Sequence, residues 1–125
     1  MKIDLVNHLL HTSLIITYGG RTESIDRLVV DTGAAQTLIS SDAVFDLGIF
    51  ATDAEITTMY GIGGEDYAFR KMIDRIQFDG FEADEFYLDF GYFNKDYGIN
   101  GIIGLDILLS GRFVIDLVDM DIYQK

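Results

Sequence analysis

The chain has 125 residues, of which 49% are hydrophobic and 13% are aromatic. This length and composition predict one folded domain over residues 1–125 with its own core, and they argue against a disordered chain. The formal net charge of −12 would repel phosphate backbones and anionic lipid surfaces, so neither nucleic acid nor membrane is an expected partner.

Cysteine is absent from the sequence, which excludes disulfides and thiolate metal sites. No stretch approaches the roughly 20 apolar residues that a membrane-spanning helix needs. The first residues, Met1-Lys2-Ile3-Asp4, lack the charged head and apolar run of a signal peptide. These features predict a cytoplasmic protein.

Short apolar stretches separated by turn residues predict a mainly β protein. Single strands are predicted at residues 14–18, 25–30, 37–40, 112–117 and 122–123. Because the strand at residues 25–30 ends in a nearly continuous apolar run, we expect it to be buried on both faces.

Two hairpins are also predicted. The first has arms at residues 54–60 and 66–76, which flank Gly61-Ile62-Gly63-Gly64. The second joins residues 75–78 to residues 81–90 through the turn dipeptide Asp79-Gly80.

One or two short helices complete the predicted elements. The first covers residues 41–47, starting with the N-cap residues Ser41 and Asp42 and closed by Gly48. The second covers residues 105–109. The architecture predicted from all these elements is a closed β-barrel or folded sheet in a single domain.

The run Val29-Val30-Asp31-Thr32-Gly33-Ala34 is the most informative motif in the chain. A carboxylate follows a buried strand, a small hydroxylated residue comes next, and Gly33 lets the backbone turn and a substrate approach closely. Ala34 and Ala35 keep that approach open. A plain turn would also fit the triplet Asp31-Thr32-Gly33 alone, but not its apolar surroundings.

Two further segments have patterns of their own. In residues 101–108, two apolar residues precede Gly104 and a short helix, although a buried strand before a helix is common in any fold. The tip Met59-Tyr60-Gly61-Ile62-Gly63-Gly64-Glu65 has three glycines around one isoleucine. That composition suits a lid over a bound chain, and an ordinary hairpin tip is the alternative.

Taken in chain order, the three segments resemble the retropepsin-like aspartic proteases, and the resemblance extends from about Leu14 to Ile122. The Asp31 motif is similar to that family's catalytic loop, and residues 60–64 are similar to the tip of its flap hairpin. Ile102-Ile103-Gly104 is similar to its second signature, which packs beneath the catalytic loop. The resemblance implies a homodimer that cleaves a polypeptide substrate and needs neither metal nor other cofactor.

The resemblance also implies a role for each matching residue. Asp31 would be catalytic and face the partner's Asp31, Thr32 would join the paired loops through its hydroxyl, and Gly33 would accept the substrate backbone. Two carboxylates held close share one proton, so one can activate water while the other protonates the carbonyl oxygen. The implied substrate-binding residues are Ala34, Ala35, Tyr60, Gly61, Ile62, Gly63, Gly64 and Ile103.

The sequence departs from the viral members of that family at two positions. Ala35 stands where they usually carry an acidic residue, and Leu105 with Asp106 stands where they usually carry an arginine. The two viral residues form an ion pair near the dimer interface, so the resemblance leaves open how two copies of this chain are held together.

Other functions have less support. His8 and His11 are the only histidines, and without a His-Glu-x-x-His run a zinc protease is not indicated. Both histidines lie in a segment expected to be terminal, and no nucleophile elbow is present, which argues against a serine triad. A catalytically inactive module of the same fold, which binds peptides or dimerises, is the remaining alternative.

Overall fold

The computed structural model describes residues 1–52, 56–61 and 64–125, and for residues 56–61 and 64–67 it describes the backbone alone. Its strands are β1 Asp4–Val6, β2 Leu9–Tyr18, β3 Arg21–Val30, β4 Leu38–Ser40, β5 Ile56–Gly61, β6 Gly64–Phe78, β7 Phe81–Gly91, β8 Gly101–Ile103, β9 Phe113–Asp116 and β10 Asp121–Gln124. Two 3₁₀-helices span Asp42–Leu47 and Lys95–Tyr97, and one α-helix, α1, spans Leu105–Ser110.

Eight strands form one sheet in the order β1-β2-β3-β8-β4-β7-β6-β5. A further pairing of β2 with β6 closes six of them into a barrel. The predicted mainly β fold with a closed barrel is therefore confirmed. Strands β9 and β10 form a separate two-stranded sheet, which a bridge between Lys2 and Asp121 ties to the start of the chain.

The barrel interior is filled by branched aliphatic and aromatic side chains. Burial alternates along β2, where Leu14 and Ile16 are fully buried and Ile15 is only partly buried. This alternation places every second residue of a strand inside the barrel. Other fully buried side chains include Leu28, Ile39, Ile73, Ile76, Phe78, Phe90 and Ile103.

Several elements differ in detail from their predicted form. Strand β2 begins at Leu9 rather than at residue 14, so His11 lies inside a strand and is buried. The helix at residues 42–47 is a 3₁₀-helix, and Gly48 closes it with a left-handed φ of 83°, as predicted. Ser41, however, makes no side-chain cap hydrogen bond, because its backbone is already helical.

The Asp79-Gly80 turn is present as predicted. Phe78 pairs with Phe81 across it, and Asp79 adopts a left-handed φ of 53°. In the part of the chain that the structure describes, no helix is both long and apolar enough to cross a membrane.

Candidate active site

Asp31 lies at the point where two parallel strands end together. Strand β3 runs parallel to β8, with Val30 opposite Ile103, and the Asp31 N–H donates to the Ile103 carbonyl oxygen over 2.9 Å. Ile103 is fully buried, so the strand ends rest on the core. The Asp31 side chain is partly buried, whereas Thr32 and Gly33 are exposed.

The loop after Asp31 folds back on the aspartate. The Gly33 N–H donates to Oδ1 of Asp31 over 2.9 Å, and the Ala34 N–H donates to the Asp31 carbonyl oxygen over 3.2 Å. A Cβ atom on Gly33 would lie 3.2 Å from the same Oδ1, which is a tight contact. The tight turn therefore fixes the direction of the carboxylate and favours glycine at position 33.

The first residues of α1 are hydrogen-bonded to the backbone of the loop that follows Asp31. Leu105 N–H donates to the Ala34 carbonyl oxygen over 2.8 Å, and Asp106 N–H donates to that of Ala35 over 3.1 Å. A Cβ atom on Gly104 would lie 2.9 Å from the Ala34 carbonyl oxygen and 2.7 Å from the carbonyl carbon of Gln36. Only glycine permits this close approach, which explains the apolar-apolar-Gly signature.

Asp106 supplies the side-chain part of this connection. Its two carboxylate oxygens accept hydrogen bonds from the Thr37 hydroxyl at 2.6 Å and from the Thr37 N–H at 3.0 Å. The Ile107 N–H also donates to Asp106 over 2.9 Å. Thr37 is fully buried, and its hydroxyl oxygen accepts from the Gly104 N–H over 3.0 Å.

Asp106 and Thr37 were not among the site residues predicted from the sequence. Asp106 stood out only as a departure from the viral pattern. The local signal for it is an acidic residue in the first helical turn, where a carboxylate can accept from free N–H groups. Nothing in the local sequence indicates its long-range partner.

An apolar cleft of about 510 Å³ begins directly after Asp31-Thr32-Gly33. Its lining residues are Ala34, Ala35, Gln36, Leu38, Ala68, Phe69, Arg70, Asp89 and Ile102. The predicted substrate-binding residues Ala34 and Ala35 are therefore part of its wall. Ile103 is fully buried in the core, and its neighbour Ile102 is the isoleucine that faces the cleft.

Arg70 and Asp89 form an ion pair in the wall of this cleft. Nε of Arg70 donates to one carboxylate oxygen of Asp89 over 2.8 Å, and Nη2 donates to the other over 3.2 Å. The hydrogen bond to Asp89, then its charge, raises the pKa of Arg70 above the ordinary value, and the charge of Asp106 adds to the effect. The guanidinium is therefore a cation held by two hydrogen bonds to the Asp89 carboxylate.

The remaining predicted site residues belong to the hairpin of β5 and β6. Tyr60 pairs with Glu65, and Gly61 pairs with Gly64, so the predicted long hairpin is present. Ile62 and Gly63 lie outside the described residues.

Comparisons with known proteins give consistent results. A family model described as aspartyl protease matches residues 16–107, which is more than half of the chain. A search of curated proteins finds no match.

Three solved structures share the fold. A retropepsin-like aspartic protease from Rickettsia conorii has a TM-score of 0.66 at 16% identity, over 93% of this chain and 84% of that one. The EIAV protease in complex with the inhibitor HBY-793 has a TM-score of 0.63 at 18% identity, over 84% of this chain and 89% of that one. The retroviral protease-like domain of Ddi1 from Leishmania major has a TM-score of 0.64 at 18% identity, over 94% of this chain and 88% of that one.

Identities this low show only that the fold is shared. The match to the family model shows which family the chain belongs to. The chain belongs to the aspartyl protease family and has a retropepsin-like fold.

Proposed function

We propose that the protein is an aspartic endopeptidase that hydrolyses peptide bonds in an extended polypeptide, with Asp31 from each of two copies forming the catalytic pair. One observation carries this proposal. The Asp31 carboxylate is held at the ends of two parallel strands, in a tight loop that opens onto an apolar cleft. The chain contains a single Asp-Thr-Gly triplet, so a second copy must supply the second aspartate.

The reaction would need only the two carboxylates and water. Because two negative charges held close repel each other, the pair retains one proton. The ionised Asp31 takes a proton from water, and the water oxygen attacks the scissile carbonyl carbon as the protonated partner donates to the carbonyl oxygen. The tetrahedral intermediate then breaks its C–N bond as the leaving nitrogen takes up a proton from the protonated carboxyl. One hydroxyl of the intermediate gives its proton to the other carboxylate, which restores the singly protonated pair.

The cleft would bind a substrate side chain next to the reacting bond. Ala34 and Ala35 are small, so a chain can lie close to the loop, and Leu38, Phe69 and Ile102 provide an apolar wall. The hairpin residues Tyr60, Gly61, Ile62, Gly63 and Gly64 would close over the bound peptide as a flap and exclude water. An exposed Thr32 suits contact with the paired loop.

The substitution Asp31→Asn tests the proposal. It preserves shape but removes the ionisable group, so we expect cleavage of a peptide library between acidic and neutral pH to fall by at least about 10²–10⁴-fold. Sedimentation should show the same dimer as for the wild type. Asp26→Asn is the matched control, because Asp26 is an exposed aspartate of β3, the strand that leads to Asp31, and this variant should cut normally.

Two results would contradict the proposal. A wild-type dimer that cuts no peptide at any tested pH would favour the inactive peptide-binding or dimerisation module. An Asp31→Asn variant with undiminished cleavage would remove Asp31 from the site.

A further inference from the structure

The ion pair of Arg70 and Asp89 presents its cation to the apolar cleft. Of the described residues that line the cleft, only these two are charged. The side chain of Arg70 is 54% exposed, whereas that of Asp89 is 15% exposed. A chain bound in the cleft can therefore reach the guanidinium more easily than the carboxylate.

The hydrogen bonds within the pair leave donors available on the arginine. A guanidinium has five N–H groups and no acceptor, and here Nε and one N–H of Nη2 donate to the two oxygens of Asp89. Within the part of the chain that the structure describes, the other N–H of Nη2 and both of those on Nη1 have no partner. The pair thus offers donors to a ligand, while each oxygen of Asp89 already accepts a hydrogen bond.

The strand register holds the guanidinium in place. Arg70 of β6 lies directly opposite Asp89 of β7, and Asp89 is paired on its other side with Leu38 of β4. The Asp89 N–H also donates to the Thr37 carbonyl oxygen over 3.3 Å. Because the arginine is already ordered by this partner, a ligand that binds it loses little additional side-chain entropy.

An acidic side chain is the complement of these free donors. A basic side chain would meet a like charge, and an apolar one would leave the donors without an acceptor once the cleft excludes water. A carboxylate forms charge-assisted hydrogen bonds, which are roughly twice as strong as neutral ones. The net charge of −12 opposes an anionic peptide, but salt screens distant charges far more than a direct contact.

The shape of the cleft favours glutamate among the acidic residues. Leu38 and Ile102 contribute apolar surface to the same wall as Arg70. The methylene groups of a glutamate side chain can pack on that surface while the carboxylate reaches the guanidinium. Aspartate, with a single methylene, would bury less apolar area.

We propose that Arg70 is a specificity-determining residue, which gives the cleft a preference for a glutamate side chain close to the cleaved bond of the substrate. The inference rests on the proposed function, because the cleft can select a substrate residue only if the protein cleaves peptides. It narrows the substrate class to polypeptides that carry glutamate in the segment bound by the cleft.

Strand β6 contains a second ion pair of the same kind, which serves as the matched control. Arg75 lies directly opposite Asp84 of β7, and its Nε donates to Oδ1 of Asp84 over 2.8 Å. The Arg75 side chain is 50% exposed, close to the value for Arg70. Arg75 is not among the described residues that line the cleft, so Arg75→Gln removes the same charge without altering the cleft wall.

The test uses a library peptide that the wild type cleaves, resynthesised with Glu or Gln at each position in turn around the cut. Glu and Gln have nearly the same shape, so the ratio of their kcat/KM values at about pH 6, where glutamate is ionised, reports on charge. We expect the wild type to prefer Glu by at least about fivefold at one position. Arg70→Gln should bring this ratio close to one, whereas Arg75→Gln should leave it unchanged.

Asp89→Asn separates a charge effect from a loss of structure. Both Arg70→Gln and Asp89→Asn break the ion pair, and thermal unfolding shows whether either protein is still folded. Asp89→Asn leaves the arginine without its carboxylate partner, so the preference for Glu over Gln should rise above that of the wild type. Structural damage alone would shift the ratio in the same direction for both variants.

The outcomes distinguish this inference from the proposed function. Equal cleavage of the Glu and Gln peptides at every position by the wild type would overturn the inference alone. An Arg70→Gln variant that keeps the wild-type ratio, or an Arg75→Gln variant that loses it equally, would do the same. A wild type that cleaves no peptide would overturn the proposed function and, with it, the inference.

Discussion

At the scale of single residues, the contacts of Asp31 and of its loop define its place in the site. It lies on a buried strand end, it accepts a hydrogen bond from the second residue after it, and its loop is joined to α1. Asp106 is as important to this arrangement, because it connects the helix to the loop through Thr37.

We expect Asp106→Ala to destabilise the protein. The substitution removes the acceptor of three donors, which are the Thr37 hydroxyl, the Thr37 N–H and the Ile107 N–H. Thr37 is fully buried, so water cannot replace that acceptor. The free energy of unfolding in urea should fall by about 1–3 kcal/mol. Cleavage should fall as well, since the loop that carries Asp31 loses its connection to the helix.

Two variants sharpen this prediction. Asp106→Asn keeps one acceptor oxygen, so both stability and cleavage should lie between those of the wild type and Asp106→Ala. Asp119→Ala, at an exposed turn position, should change stability by no more than about 0.5 kcal/mol. Unchanged stability of Asp106→Ala would show that these hydrogen bonds contribute nothing to the fold.

At the scale of elements, the two isoleucines of β8 have opposite roles because successive side chains of a strand face opposite ways. Ile103→Ala should lower the free energy of unfolding by about 2–5 kcal/mol, because Ile103 fills the core. Ile102→Ala should cost much less stability but change which residues are accepted beside the cut, because Ile102 lines the cleft. Urea unfolding and a peptide-library digest measure the two effects, and equal stability losses would contradict this assignment of faces.

Most strands could be predicted because their apolar residues alternate or run together between clear turn signals. Strands β1 and β8 are only three residues long, too short to show a period, and neither was among the predicted strands. The adjacent isoleucines at 102 and 103 carry no polar neighbour to indicate which one faces the core. Local sequence therefore indicated the Asp31 loop but not the orientation of its supporting strand.

The hydrogen bonds that support the Asp31 loop could not be predicted from local sequence patterns either. Thr37 and Asp106 are 69 residues apart in sequence and meet only because β3, β4 and β8 are neighbours in the barrel. Gly104 could be predicted as part of a motif. The close approach of the Ala34 and Gln36 backbone, which requires glycine there, follows only from the fold.

At the scale of the whole molecule, the proposed function makes one chain, an acidic barrel, the carrier of half of a catalytic pair. The family match and the shared fold give the setting, and the single Asp-Thr-Gly triplet makes pairing necessary for the proposed chemistry.

Mixed dimers test the shared pair most directly. Wild-type and Asp31→Asn chains are mixed in varied ratios at constant total concentration, exchanged to equilibrium, and assayed for peptide cleavage. If each active site needs Asp31 from both copies, activity should follow the square of the wild-type fraction and be about one quarter at equal mixing. A linear decline, with about half of the activity left at equal mixing, would show that each copy acts independently with its own Asp31 and would contradict the account.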